Sequence, residues 1–238
     1  MLSSNGASAR QRETVRYYPI FLNLDSRKTL VVGAGRVAER KVKALLQAGA
    51  RVTVVAPRAS AALKKLAAAG KIRWQQRRYV ASDIKGAALV FCATDSAAID
   101  RKVAAEASRR GIPVNCAGSP KFGSFLVPAQ AVRGQLQIAV STAGASPALA
   151  RKLSRELKER IGPEYAEWTR LLARLRPQIL ESVPAGKRPG VFELLASDRI
   201  FRLLRKGEKR RAAEMARSLV AHHASKQKKL RQPMARKR

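Results

Sequence analysis

The 238-residue sequence predicts an α/β fold, a doubly wound parallel sheet followed by a helical C-terminal part. Three observations predict it. Short apolar, β-rich runs alternate with helical patterns from Thr29 to Cys116. A glycine turn, Gly33-Ala34-Gly35, separates the first run from the first helix. Beyond Pro147 the strand-like runs stop and amphipathic helical patterns take over.

Thr29 to Val32 reads as the first strand. The helix after it carries Ala38, Val42, Leu45 and Leu46 on one face and closes at Gly49, and Val52 to Val55 form a second buried strand. Strand, turn, helix and strand make the G-x-G-x-x-A fingerprint of a Rossmann-type dinucleotide site, with Ala38 in the last small position. Gly33 permits the tight turn and Gly35 admits a pyrophosphate close to the backbone. Free N–H groups at the helix start face the anion. The acid that often follows the second strand, to bind a ribose 2′-hydroxyl, is missing from Val55-Ala56-Pro57-Arg58. Arg58 either meets a 2′-phosphate or is one more basic surface residue.

The rest of the chain extends this pattern. Residues 1–16 read as a disordered polar tail, and Tyr17 to Leu24 as an apolar lead-in that pairs or packs at the sheet. A helix over Ala59–Ala69, an exposed alternating strand over Ile72–Tyr79 and a buried strand over Leu89–Ala93 follow. Asp100 to Arg110 is the next helix and Pro113 to Cys116 the next strand. The ends at Gly35, Pro57, Thr94 and Asn115 are expected to line one crevice, where such sheets bind ligands. Leu126–Ala131 and Leu136–Thr142 read as two strands around Arg133-Gly134. Ser146 caps a helix over Pro147–Arg160, with proline at its first position. Residues 163–182 form another helix, Val183–Gly190 a Pro/Gly linker, and Val191–Lys206 and Lys209–Ala224 two more helices. From Ser225 the chain reads as a mobile cationic tail.

Composition bounds the function. Hydrophobic residues make up 46% of the chain, enough to bury a core, and no apolar run is long enough to span a bilayer. The N-terminal segment lacks the apolar stretch of a secretory signal, so a cytoplasmic location is expected. Cys92 and Cys116 lie in or beside apolar runs and read as buried free thiols. A net charge of +33 implies attraction to anions such as nucleic acid, acidic membranes or polycarboxylates. Nucleic acid is disfavoured: aromatics are only 5%, no recognition motif occurs, and the cations are spread along the chain.

YYPIFLNL, VVGAGRVAERKVKALLQAGARVTVVAP, FCATD, the VN…PK.GSFLVPA run and IAVSTAGASPALARKLSRELKE occur in an order that resembles the siroheme synthase family. More narrowly they resemble its precorrin-2 dehydrogenase / sirohydrochlorin ferrochelatase module, over about residues 17–170. The methyltransferase domain of fused members is not expected in a chain of this length. The resemblance implies NAD-dependent oxidation of precorrin-2 to sirohydrochlorin, with Fe²⁺ insertion following in some members. It also implies a homodimer. The domains would be a disordered tail at 1–16, an NAD-binding Rossmann domain at 17–127 and an interlocking dimerisation segment at 128–161. A helical domain at 162–224 and a basic tail at 225–238 would complete the chain. Carried over by position, NAD contacts fall at Arg36, Val37, Pro57 and Arg58. No membrane insertion is implied.

The sequence departs from the family at one telling position. Relatives place an Asp after the fifth strand, and here that position is Gly118 in Asn115-Cys116-Ala117-Gly118. Glycine cannot accept a proton. Asp95 or another carboxylate substitutes, water or the substrate's own carboxylates accept the proton, or the chain is an impaired NAD- or tetrapyrrole-binding regulatory protein. Asp95 also reads as an ordinary turn residue before a helix. Lys121, Ser141 and Thr142 are candidates for binding substrate carboxylates, although both hydroxyls could simply satisfy backbone. His222-His223 lacks the i, i+4 spacing of a metal pair, and no resident metal is expected.

Overall fold

The computed structural model describes residues 17–230, and the expected N-terminal tail and the end of the basic tail lie outside them. The chain forms two compact units that divide after Val127.

In the first unit, five strands form one parallel sheet. They are β1 (Lys28–Val32), β2 (Arg51–Val55), β3 (Arg73–Gln75), β4 (Leu89–Cys92) and β5 (Val114–Cys116), in the order β3-β2-β1-β4-β5. The crossovers are α1 (Arg36–Gln47), α2 (Ala61–Ala68) and α3 (Ala97–Arg109). Side chains alternate between the two sheet faces, so one core takes Val31, Val52, Val54 and Phe91 with Ala38, Val42 and Leu45 of α1. The other takes Leu30, Val32, Val90 and Cys92 with Val103, Ala104 and Ala107 of α3. Burying each large aliphatic side chain contributes roughly 1.5–3 kcal/mol.

The second unit opens with an antiparallel hairpin, β6 (Ala129–Arg133) and β7 (Leu136–Val140). Helix α4 (Pro147–Arg160) follows, and the Ser146 hydroxyl accepts from the Leu149 N–H as its cap. Arg133 reaches the other end of α4, donating from Nε to the Ile161 carbonyl at 2.8 Å. Four further helices, α5 (Glu164–Ser182), α6 (Arg188–Leu195), α7 (Asp198–Arg205) and α8 (Lys209–Leu230), share one core. Leu171, Leu175 and Ile179 of α5 meet Ala212, Ala216 and Val220 of α8, each set at i, i+4, i+8 spacing.

Several elements differ from the expectation. Tyr17 to Asn23 are exposed and unpaired, and only Leu24 reaches the core. The strand expected over Ile72–Tyr79 ends at Gln75, because Arg77 turns back to pair with Asp83. The first strand of the hairpin starts at Ala129, not Leu126. Most of the supposed linker at 183–190 is helical: proline in the first turn starts α6, and Arg188 Nε donates to Val183 O at 2.9 Å. Val191–Lys206 is two helices, because Ser197 is extended at ψ 156° and Asp198 opens a new first turn. The tail expected from Ser225 begins as helix through Leu230, since Lys, Gln and Leu there are good helix formers.

Candidate functional site

All five strands of the first unit end on the same edge of the sheet. The chain winds from β1 through β2 to β3, then returns across β1 to β4 and β5. The connections therefore part between β1 and β4, where doubly wound sheets bind ligands.

The glycine turn occupies this point. Gly33 has φ +102°, and a Cβ there would stand 2.6 Å from the Ala93 carbonyl carbon at the end of β4. Its own N–H donates to Val55 O at 3.0 Å, tying the turn to β2 as well. Gly35 is different: an added Cβ would meet nothing within 4 Å. Its backbone faces open space at the start of α1, a 12-residue helix with no side-chain cap. Uncapped N–H groups and the helix dipole make that end attractive to phosphate. Arg36 and Val37 are exposed in the first turn, and Pro57 and Arg58 are exposed after β2. These residues fit a dinucleotide: an uncovered backbone, unsatisfied donors and two cations.

Two cations near the site have specific partners. Lys41 is half-buried with Nζ 5.5 Å from the Phe91 ring centroid, and burial, aided by the charge of Arg40, lowers its pKa. Lys121 is exposed, with Nζ 5.2 Å from the ring of Phe122. A groove of about 560 Å³ runs between α1 and α2, but Lys43, Leu46 and Leu66 line it and no predicted site residue does.

Past β4, Asp95 is exposed and has no partner among the described residues. The cap of α3 is its neighbour Ser96, whose hydroxyl accepts from Ile99 N–H. Gly118 is exposed on the loop after β5. Asn115 Nδ2 pins that loop by donating to Phe125 O at 3.0 Å. Ser141 and Thr142 belong to the second unit, where Ser141 Oγ accepts from Ala143 N–H and Thr142 Oγ1 from Ser146 N–H.

One carboxylate escaped the sequence reading. Asp100, in the first turn of α3, is 1% exposed, and the Thr94 hydroxyl donates to its Oδ1 at 2.7 Å. An acid on the face that also carries Val103, Ala104 and Ala107 was the signal available in the sequence. Behind it, Cys92 and Cys116 are register partners on β4 and β5, both buried and free. The Cys92 Sγ donates to the Asp100 backbone carbonyl at 3.9 Å, and the adjoining Cys116 thiol, burial and the charge of Asp100 push Cys92 far above its ordinary value. Cys116 is lowered by the neighbouring Cys92 thiol.

Residues 20–129 match a family model described as putative NAD(P)-binding, and residues 133–160 match one described as sirohaem biosynthesis protein central. Siroheme synthase of Methylococcus capsulatus is 42% identical over 168 residues, 71% of this chain and 35% of the relative. Siroheme synthase of Nitrosococcus oceani is 39% identical over 178 residues, 75% of this chain and 38% of the relative. The chain thus spans little more than a third of the length of these relatives. A solved structure described as SirC, precorrin-2 dehydrogenase, superposes with a TM-score of 0.68 at 30% identity, over 84% of this chain and 100% of that one. With the NAD(P)-binding fold, the sirohaem central segment and a full-length likeness to SirC together in one polypeptide, the chain belongs to the precorrin-2 dehydrogenase family of siroheme biosynthesis.

Proposed function

We propose that the chain is an NAD-dependent precorrin-2 dehydrogenase that makes sirohydrochlorin. The observation that carries this reading is the glycine turn at the sheet's switch point, in a chain that matches SirC along that protein's full length. When bound, NAD supplies the hydride acceptor. The chain's own residues do the rest. Gly33 sets the turn, and Gly35 with the N–H groups of α1 receives the pyrophosphate. Arg36, Val37, Pro57 and Arg58 border the dinucleotide where β1 and β2 end. Asp95, exposed past β4, is placed to meet the ribose or nicotinamide.

The substrate is a macrocycle rich in carboxylates, and a chain of net charge +33 attracts it. Lys121 offers an ammonium. Ser141 and Thr142 use their oxygens as acceptors for backbone N–H groups, which leaves each O–H proton to donate to a carboxylate. Residues 128–161 are the proposed dimerisation segment, and the cytoplasm the proposed location. Holding the macrocycle against the nicotinamide lowers the barrier by positioning.

An anaerobic assay with precorrin-2 and NAD⁺, following sirohydrochlorin by absorbance, tests the reading. Turnover with NADH formed in step is expected, and a dimer by sedimentation velocity. Gly118 motivates a second reading, a regulatory protein that binds NAD or tetrapyrrole without turning over. Normal NAD⁺ affinity with no product would favour it and overturn the first. Adding Fe²⁺ to the product mixture tests chelation, which must remove two pyrrole protons beside a glycine.

A further inference from the structure

We propose that Asp100 is the proton acceptor of the dehydrogenation, serving from beneath the position where Gly118 leaves no side chain. This rests on the dehydrogenase reading above. Three buried acids occur among the described residues: Asp83, Asp100 and Glu106. Asp83 is paired with Arg77, and Glu106 with Arg109 and Arg110. Asp100 is the most buried of the three, yet among the described residues no salt bridge reaches it. This happens in a chain with 49 Lys and Arg against 16 Asp and Glu, where a cation is seldom far away. A buried carboxylate without a counter-charge is costly.

Its two oxygens have different surroundings. Oδ1 accepts from the Thr94 hydroxyl, which fixes the rotamer. Oδ2 has no hydrogen-bond partner among the described residues, and a Cβ built on Gly118 would lie 3.9 Å from it. The same Cβ would lie 3.9 Å from the Thr94 carbonyl oxygen, so a side chain at residue 118 would start against Asp100 and the end of β4. A carboxyl group on residue 118 would occupy this space. Without it, Asp100 Oδ2 is the carboxylate oxygen that borders the gap. An acid in the first turn of a helix is ordinarily explained by the helix dipole. That explains the position of Asp100 but not an unpartnered oxygen beside an uncovered glycine.

The step balances. One C–H bond of precorrin-2 breaks with its electron pair leaving as hydride to NAD⁺, which becomes NADH. A second hydrogen leaves as a proton to Asp100 Oδ2, its bonding electrons enter the conjugated ring system, and solvent later takes the proton through the gap. The titratable groups that face Asp100 from neighbouring elements are the thiols of Cys92 on β4 and Cys116 on β5.

The test compares the full chain with Asp100→Asn, Gly118→Asp and the double variant. Asp100→Asn is expected to lower kcat by roughly 10²–10⁴-fold and to remove the acid limb of its pH profile, with NAD⁺ affinity unchanged within about twofold. Adding Gly118→Asp to Asp100→Asn is expected to restore at least about tenfold of the loss. A purely structural role would give no such rescue, because residue 118 cannot rebuild the Thr94 bond. Carboxyl-carbon NMR gives a readout without turnover: in the single Gly118→Asp variant, two carboxyls sharing the gap should raise one titration by about a unit or more. Parental kcat in Asp100→Asn, loss without rescue in the double variant, or independent titrations in Gly118→Asp would each overturn the proposal. A parent that binds NAD⁺ but makes no sirohydrochlorin would instead overturn the dehydrogenase reading, and this inference with it.

Discussion

Gly33 and Ala93 meet where the two halves of the sheet part, the α-carbon of one turned against the carbonyl of the other. The contact joins β1 to β4 just beyond their last paired residues, Val32 and Cys92. A methyl group at residue 33 must displace backbone there, and φ of +102° disfavours it besides. Gly33→Ala is expected to destabilise the chain by roughly 2–4 kcal/mol, from strain and overpacking together. Urea denaturation checks it, and unchanged stability would show that the turn relaxes freely.

Gly35 should behave in the opposite way. Its φ of −84° suits any residue and a Cβ there meets open space. Gly35→Val should therefore leave stability within about 1 kcal/mol, the scale of a changed helix cap. It should weaken NAD⁺ binding by about tenfold or more, because the added carbons stand where a phosphate must approach. A titration of the variant with NAD⁺ reads this directly, and parental affinity would move the pyrophosphate elsewhere.

Asp83 predicts the acid stability of the first unit. Burial raises its pKa, but hydrogen bonds from Arg77 and the Val80 N–H, with the guanidinium's charge, outweigh that and hold the carboxyl below its ordinary value. A folded-state value below the unfolded one contributes stability above the unfolded pKa, about 3.9, and loses it as pH falls through the folded value. Asp83→Asn should cost about 1–3 kcal/mol at pH 7 and flatten the acid limb of the stability curve. Thermal unfolding from pH 7 down to pH 3 checks both parts.

Cys92 and Cys116 should resist labelling. Both are 1% exposed, and Cys92 is held protonated. Under native conditions a thiol reagent at pH 7.5 should label neither within minutes, and in denaturant it should label both. Rapid native labelling would mean that the β4–β5 edge opens readily.

Much of the fold was legible because its local signals agree. The fingerprint from Thr29 to Val55 has apolar runs, glycines and helix period all pointing one way. Ser146-Pro147 announces α4 at the residue where it starts. The break between α6 and α7 was hidden, because apolar residues continue on both sides and Ala196-Ser197 contains neither glycine nor proline. Tyr17 to Leu24 read as an apolar lead-in that pairs or packs at the sheet, yet only Leu24 packs, because pairing depends on a partner edge that local sequence does not specify. The site divided in the same way. Its glycines are local signals, whereas the relation of Asp100 to Gly118 exists only when the loop after β5 comes to lie beside α3. An acid in a helix's first turn is too ordinary to draw notice alone.

The strand order has a consequence for how the chain is made. β1 pairs on one side with β2, but its other side waits for β4, which follows α2 and β3 in the chain. During synthesis, Leu30-Val31-Val32 therefore presents an open, strongly β-prone edge until Leu89–Cys92 has emerged. Arg27 and Lys28 stand just before that run, and Arg51 opens its β2 neighbour. Such flanking cations are gatekeepers against intermolecular strand pairing. Part of the positive charge of this chain thus guards the nascent sheet against aggregation before there is any site for an anion to bind.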